Sequence, residues 1–234
     1  MSLKSCQTAY GPCKFYGKDE YIGRSLYAYG EWSGDECDML RSLANGVCLD
    51  VGANIGFMSM AMASVCNVVA FEPQPALFEL LVENTRDKNV RCYNTAIGNS
   101  TQIVHMPKLR YNERGNYGSV GLVPGGFGTI QVPMTTIDSY GFENVGLIKL
   151  DVEGYELEAL KGAVETIKRD RPILYVEDDR DNKRDALRSF ISSLGYAIEE
   201  HKPMLFRRNN YAGNRTDIWD KQYASHNIIC RARS

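Results

Sequence analysis

The chain has 234 residues, 44% of them hydrophobic and 24% charged, an ordinary globular composition. A domain of this length buries roughly 70% of its unfolded surface, so it needs no covalent staple. Lys plus Arg number 27 against 29 Asp plus Glu, a formal net charge of -2, which argues against a nucleic-acid partner held by bulk electrostatics and leaves only a local basic patch open.

Residues 1–20 are mixed and aromatic-rich, and predict an irregular lead-in with no apolar core of signal-peptide type. Asp35 to Leu43 has apolar positions at helical spacing and early acidic residues, so residues 1–45 are expected to be a lead-in and a helix packed on a core formed by 46–234. Val47 to Val51 reads as a buried strand, followed by a glycine-containing turn and a helix through Met58–Ser64. A second strand is predicted at Asn67 to Phe71, a second helix at Pro75 to Asn84 and a third strand at Val90 to Thr95. Residues 99–130, rich in Gly, Asn and Tyr, predict hairpins and a long loop. Val145 to Leu150 reads as a strand and Gly154 to Lys168 as an amphipathic helix. Ile173 to Val176 is another strand, and Lys183 to Leu194 a helix ended by Gly195. Tyr196–Glu200, Met204–Arg208 and His226–Arg231 read as closing strands.

Strands alternating with helices predict an α/β fold with a mostly parallel, doubly wound, Rossmann-like sheet, closed by an antiparallel hairpin at its C-terminal edge. No apolar stretch is long enough to span a bilayer. The seven cysteines form no C-x-x-C pair and no zinc-ligand spacing, and predict reduced thiols in a soluble, cytoplasmic protein. The N-x-S/T triplets at Asn99 and Asn214 are of a kind that arises by chance.

The first chemical motif is Leu49-Asp50-Val51-Gly52-Ala53-Asn54-Ile55-Gly56, a strand leading through glycines into a helix. In such a sheet the ligand lies beyond the carboxyl ends of the strands. Glu72, in Phe71-Glu72-Pro73, ends the next strand 22 residues after Asp50, where an acidic side chain can accept both hydroxyls of a ribose. A dinucleotide fingerprint would place glycines where Asn54 and Phe57 stand, so the turn favours a phosphate-free ligand whose amino-acid end meets Asp50 and Asn54. S-adenosylmethionine is such a ligand.

The second motif, Lys149-Leu150-Asp151-Val152-Glu153-Gly154-Tyr155-Glu156, crowds charges at the end of a buried strand. Such groups must pair or act on something to offset their desolvation. Asp151, Lys149 and Glu153 are therefore catalytic candidates, joined by Glu177 at the end of the next strand and by His226 at the beginning of the last. Glu156 is expected to favour the helix macrodipole. Asp151, Glu177 and Asp178 offer three oxygen ligands that would suit Mg²⁺; a general base with orienting partners, or solvated carboxylates, are the alternatives. Tyr117 and Ser119, in the glycine-rich loop, either touch the acceptor or shape the loop.

With both motifs in place the chain resembles the FkbM family of S-adenosylmethionine-dependent methyltransferases. The resemblance rests on the two motifs, on Phe71-Glu72-Pro73, and on Tyr29-Gly30-Glu31-Trp32-Ser33 followed by Glu36, and runs over residues 20–180. It implies O-methylation of a hydroxyl on a sugar, glycan or polyketide-type metabolite. It implies that Asp50, Gly52 and Asn54, in the turn that Gly56 completes, line the methionine end of the cofactor. Glu72 would hold the ribose, Asn94, Thr95 and Ala96 would lie near the adenine, and Glu31 and Trp32 would help close the pocket. Arg207, Arg208, Tyr211 and Trp219 are candidates for holding a sugar, or belong to a surface loop. The expected partner is a small-molecule or glycan acceptor, with a homodimer or an association with glycosyltransferase domains as protein-level partners. Competing readings are an NAD-dependent or nucleotide-sugar oxidoreductase, which Asn54 disfavours, and a non-catalytic module of a glycan-assembly protein, which would carry degraded motifs.

Overall fold

The structure is a computed structural model that describes residues 3–222 and 225–233. Seven strands form the central sheet in the order β11-β12-β10-β9-β3-β4-β5. These are β3 (Val47–Val51), β4 (Asn67–Phe71), β5 (Val90–Tyr93), β9 (Val145–Leu150), β10 (Ile173–Glu177), β11 (Tyr196–His201) and β12 (Asn227–Ala232). β3, β4, β5, β9 and β10 run parallel, and β12 lies antiparallel between β10 and β11. The antiparallel C-terminal edge is thus present, with β12 as its reversed strand.

Strand alternation builds two cores. In β9, Leu147 belongs to one apolar cluster and Ile148 to the other, as do Cys48 and Leu49 in β3. The first cluster is covered by α1 (Ile22–Tyr29), α2 (Gly34–Leu43), α3 (Phe57–Met62) and α4 (Pro75–Asn84) through residues such as Leu26, Leu40, Met60 and Leu77. The second is covered by α5 (Glu156–Lys161), α6 (Val164–Asp170) and α7 (Asp181–Ser193) through Leu160, Ile167, Leu187 and Ile191. Among the described residues, no helix is long and apolar enough to cross a membrane.

Three segments depart from the sequence expectations, and one, residues 99–130, follows them. The lead-in is ordered: β1 (Leu3–Thr8) and β2 (Gly11–Tyr16) pair as an antiparallel hairpin, and Asn84 of α4 holds the backbone of Lys14 on both sides. The helix expected over Gly154–Lys168 breaks into α5 and α6 because the chain passes Gly98 at Gly162, where a Cβ would stand 1.9 Å from the Gly98 carbonyl oxygen. Asp138, in the short 3₁₀ turn Asp138–Tyr140, restarts the helix by accepting from the N–H groups of Glu165 and Thr166. Residues 99–130 form the expected hairpin and long loop: β7 (Gln102–Pro107) pairs antiparallel with β8 (Thr129–Thr135) across the loop 108–128, and with β6 (Ala96–Ile97) they make a small three-stranded sheet. Met204–Arg208 forms no strand; Arg207 is anchored instead to the N-terminal part of the chain.

Candidate functional site

A cleft of about 260 Å³ opens beyond the carboxyl ends of β3, β4, β9 and β10. One wall is the β3–α3 turn. Gly52, Asn54 and Gly56 have φ of +82°, +53° and +87°, so every second residue of the turn takes a backbone conformation that glycine and asparagine tolerate best. The N–H groups of Gly52 and Ala53 both donate to the Phe71 carbonyl, while Asn54 Oδ1 accepts from the N–H of Ile55 at 2.8 Å. The bare Cα of Gly52 accommodates the Asp151 carbonyl, which would be 1.8 Å from a Cβ, and that of Gly56 accommodates Leu81 of α4. These glycines therefore serve close packing of the turn on its neighbours.

Glu72 follows β4 and lies on the cleft wall, only 4% exposed. Its Oε2 accepts from the N–H of Asn54 at 2.9 Å and its Oε1 from that of Gln74 at 2.8 Å. Each oxygen keeps a further acceptor position. Burial pushes the carboxyl up to about 7 despite those two N–H groups. Thr95 and Ala96 share this end of the cleft, whereas Asn94 holds the turn by donating to the carbonyls of Glu72 and Pro73.

The centre is a charge row set by strand register. Asp50 on β3 lies opposite Lys149 on β9, and Lys149 opposite Tyr175 on β10. Lys149 Nζ stands 3.1 Å from Asp50 and 3.5 Å from Asp151. Burial alone would depress its pKa; Asp50, Asp151 and Glu36 outweigh that and raise it above the ordinary lysine value. Asp50 is wholly buried and also accepts from Ser59 at 2.5 Å, so it stands behind the turn and off the cleft surface. Its expected contact with the cofactor thus becomes support of Lys149 and α3. Glu36, on α2, reaches the same wall, accepts from Asn227 at 3.2 Å and is pushed up by burial to about 7.

At the other end, Asp151, Glu153 and Glu177 bring one carboxylate oxygen each within 4.8 Å of one another. Glu153 (φ +56°) is held by Arg180 and accepts from Ser119 at 3.3 Å, and burial raises its carboxyl to about 7. Glu177 is 8% exposed, and its Oε2 is buried with no hydrogen-bond partner among the described residues. Burial, then Asp151, Glu153 and Asp179, push its pKa well above the ordinary carboxylate range. Asp179 also lines the cleft.

Several expected site residues lie elsewhere. Asp178 does not join Asp151 and Glu177: neighbours on a strand face opposite sides, and its Oδ2 is taken by Arg188 at 2.5 Å and Arg184 at 3.3 Å from α7. His226 sits off the cleft, bound to Glu200 through Nε2. Glu31 makes a two-pronged pair with Arg207 (2.7 and 2.9 Å) and accepts from the N–H of Tyr211; it holds the C-terminal segment, while Trp32 lines the cleft. Tyr117 is buried in the loop, whereas Ser119 faces the cleft. Trp219 stacks on Tyr21, a cleft residue, at 5.6 Å. The sequence reading missed Tyr21, Gln74, Met106, Tyr155 and, beside Ser119 in the loop, Gly118 and 120–122 as cleft residues. They come from separate segments and carry no local pattern; the glycine-rich loop composition was the one available signal.

A family model, described as the methyltransferase FkbM domain, matches residues 50–198. The hexuronic acid methyltransferase AglP of Haloferax volcanii is 32% identical, over 57% of this chain and 58% of that protein. Among solved structures, a methyltransferase FkbM from Methylobacillus flagellatus superposes with a TM-score of 0.54 at 18% identity, covering 91% of this chain and 55% of its own. An S-adenosylmethionine-dependent O-methyltransferase from Thermotoga maritima gives 0.52 at 16% identity, over 86% of this chain and 64% of its own. This chain thus spans little more than half of AglP and of the Methylobacillus protein. The glycine turn, the acidic strand end after it and the family match over 50–198 agree, and the chain belongs to the FkbM family of methyltransferases.

Proposed function

We propose that the chain is an S-adenosylmethionine-dependent O-methyltransferase whose acceptor is a hydroxyl of a sugar or glycan. The observation that carries the reading is Glu72. A buried carboxylate facing a cleft, with one N–H on each oxygen and an acceptor position left on each, matches a vicinal diol such as a ribose. Asn54 and the backbone of Gly52 flank the direction in which the amino-acid end would lie, towards the Lys149–Asp151 end of the cleft. Bound there, S-adenosylmethionine supplies an electrophilic methyl on a sulfonium.

The residues of this chain then do the rest. Turn and strand ends fix the angle of approach, the main requirement of an in-line transfer. Asp151, 40% exposed at its side chain and lying in the acidic end of the cleft, takes the acceptor proton. The acceptor oxygen forms the new C–O bond as the S–C bond breaks, giving a methyl ether, a neutral thioether and one proton. Lys149, locked between Asp50 and Asp151, balances charge and orients Asp151. Tyr21 and Trp32 supply aromatic surface on which a sugar ring can lie. The identity of AglP as a hexuronic acid methyltransferase supports the sugar class.

The test is calorimetric titration with S-adenosylhomocysteine beside NAD⁺, followed by transfer of labelled methyl to a panel of sugars. Binding of the first ligand alone and label on an oxygen bear out the proposal. Binding of NAD⁺ alone would move the chain to the oxidoreductases.

A further inference from the structure

Among the described residues the cleft wall carries six carboxylates, Glu36, Glu72, Asp151, Glu153, Glu177 and Asp179, against one cationic side chain, Lys149. Lys149 is shared between Asp50 and Asp151, and Arg180, just outside, between Glu153 and Asp179. Arg180 takes Glu153 Oε2 and Lys149 lies nearest Asp151 Oδ2, so the other oxygen of each is left over. Between them stands Glu177, whose Oε2 is buried and unpartnered among the described residues. A buried carboxylate oxygen without a donor is costly, and two further carboxylates beside it add repulsion.

We infer that Asp151, Glu153 and Glu177 form a binding site for a divalent cation of the Mg²⁺ or Mn²⁺ class. The donors are all hard oxygens, with no imidazole or thiolate among them, which selects this class over zinc or copper. Their mutual separation, within 4.8 Å, matches oxygens gathered about one ion at roughly 2.0–2.6 Å. Three protein oxygens leave half of an octahedron open to the cleft, for water and the acceptor. A single proton on Glu177 would satisfy one oxygen and leave the Asp151 and Glu153 charges facing each other; a divalent ion relieves all three. The ligand set differs from the Asp151, Glu177 and Asp178 expected from the sequence, because Asp178 is taken by Arg184 and Arg188. Held there, the ion would bind the acceptor hydroxyl and lower its pKa, while the Asp151 oxygen on the Lys149 side stays off the ion to receive the proton. That role rests on the methyltransferase reading; the site itself does not.

The test uses the full chain, stripped with chelator and titrated with Mn²⁺ alone, free ion being followed by electron paramagnetic resonance. One saturable equivalent is expected, weakened at least about tenfold in Glu177→Gln and in Asp151→Asn, consistent with the sensitivity of metal sites to their ligand shells. Glu113→Gln, at an exposed surface carboxylate, should leave it unchanged. S-adenosylhomocysteine titrations of the same variants verify folding and separate the two ideas. Absence of a saturable Mn²⁺ site in a protein that binds S-adenosylhomocysteine overturns the cation site and leaves the methyltransferase reading standing. Wild-type Mn²⁺ affinity in both ligand variants overturns the assignment likewise. Mn²⁺ binding that meets the expectation without S-adenosylhomocysteine binding keeps the site and removes the cofactor reading.

Discussion

Gly52 and Asp151 meet across the ends of β3 and β9 so closely that a Cβ on the glycine would stand 1.8 Å from the aspartate's carbonyl oxygen. The two motifs that mark this family in the sequence are thus the two halves of one contact. Gly52→Ala must displace Asp151, and its φ of +82° adds backbone strain. We expect a thermal midpoint lower by several degrees and S-adenosylhomocysteine binding lost or weakened beyond tenfold, both read on the same preparation by calorimetry.

Glu72→Ala removes the diol acceptor and strands the N–H groups of Asn54 and Gln74. The affinity for S-adenosylhomocysteine should drop by about 1.5–3 kcal/mol, the range for hydrogen bonds to a charged group. Equal affinity in the variant would place the ribose elsewhere.

The same residue gives a pH signature. Burial holds the free Glu72 carboxyl at about 7, with Asp50 raising it and Lys149 lowering it. Hydroxyl donors from a ribose favour the ionised form, so binding should release a proton near neutrality. Affinity should weaken as pH falls below about 7 and level off above it. Titrations at pH 6.5 in two buffers of different ionisation enthalpy should show proton release in the wild type and less in Glu72→Gln.

Asp151→Asn keeps the side chain's shape and removes the proton acceptor. Turnover should fall by about 10²-fold or more, the scale of a positioned base, with the fold intact by circular dichroism. Wild-type rates in this variant would take Asp151 out of the mechanism.

Arg207→Ala leaves the largely buried Glu31 carboxylate without its two-pronged partner. Breaking a pair of this kind costs about 3–5 kcal/mol, which urea unfolding would measure. A change below about 1 kcal/mol would mean that the C-terminal segment is held by Trp219 and its neighbours instead.

What the sequence made legible was local. The turn from Asp50 to Gly56 and the acids from Asp151 to Glu156 are contiguous, and their position at strand ends followed from the alternation of strands and helices. Asp50 lies off the cleft surface because Lys149 of β9 and Ser59 of α3 enclose its carboxylate, and a partner 99 residues away leaves no local pattern. Glu31 with Arg207 was invisible for another reason, since the partners lie 176 residues apart. Asp178 was a lesser failure, because strand alternation separates it from Glu177 and was there to be used.

The long bond between Glu31 and Arg207 also orders events during synthesis. The first turns of the chain, including Tyr21 and Trp32 of the cleft, cannot be clamped until residue 207 has left the ribosome. At roughly 5–20 residues per second, the N-terminal segment waits about ten seconds or longer for its anchor. The parallel strands β3, β4, β5, β9 and β10 are all synthesised before that, so the wall that carries Tyr21 and Trp32 gains this anchor after the parallel sheet has its strands.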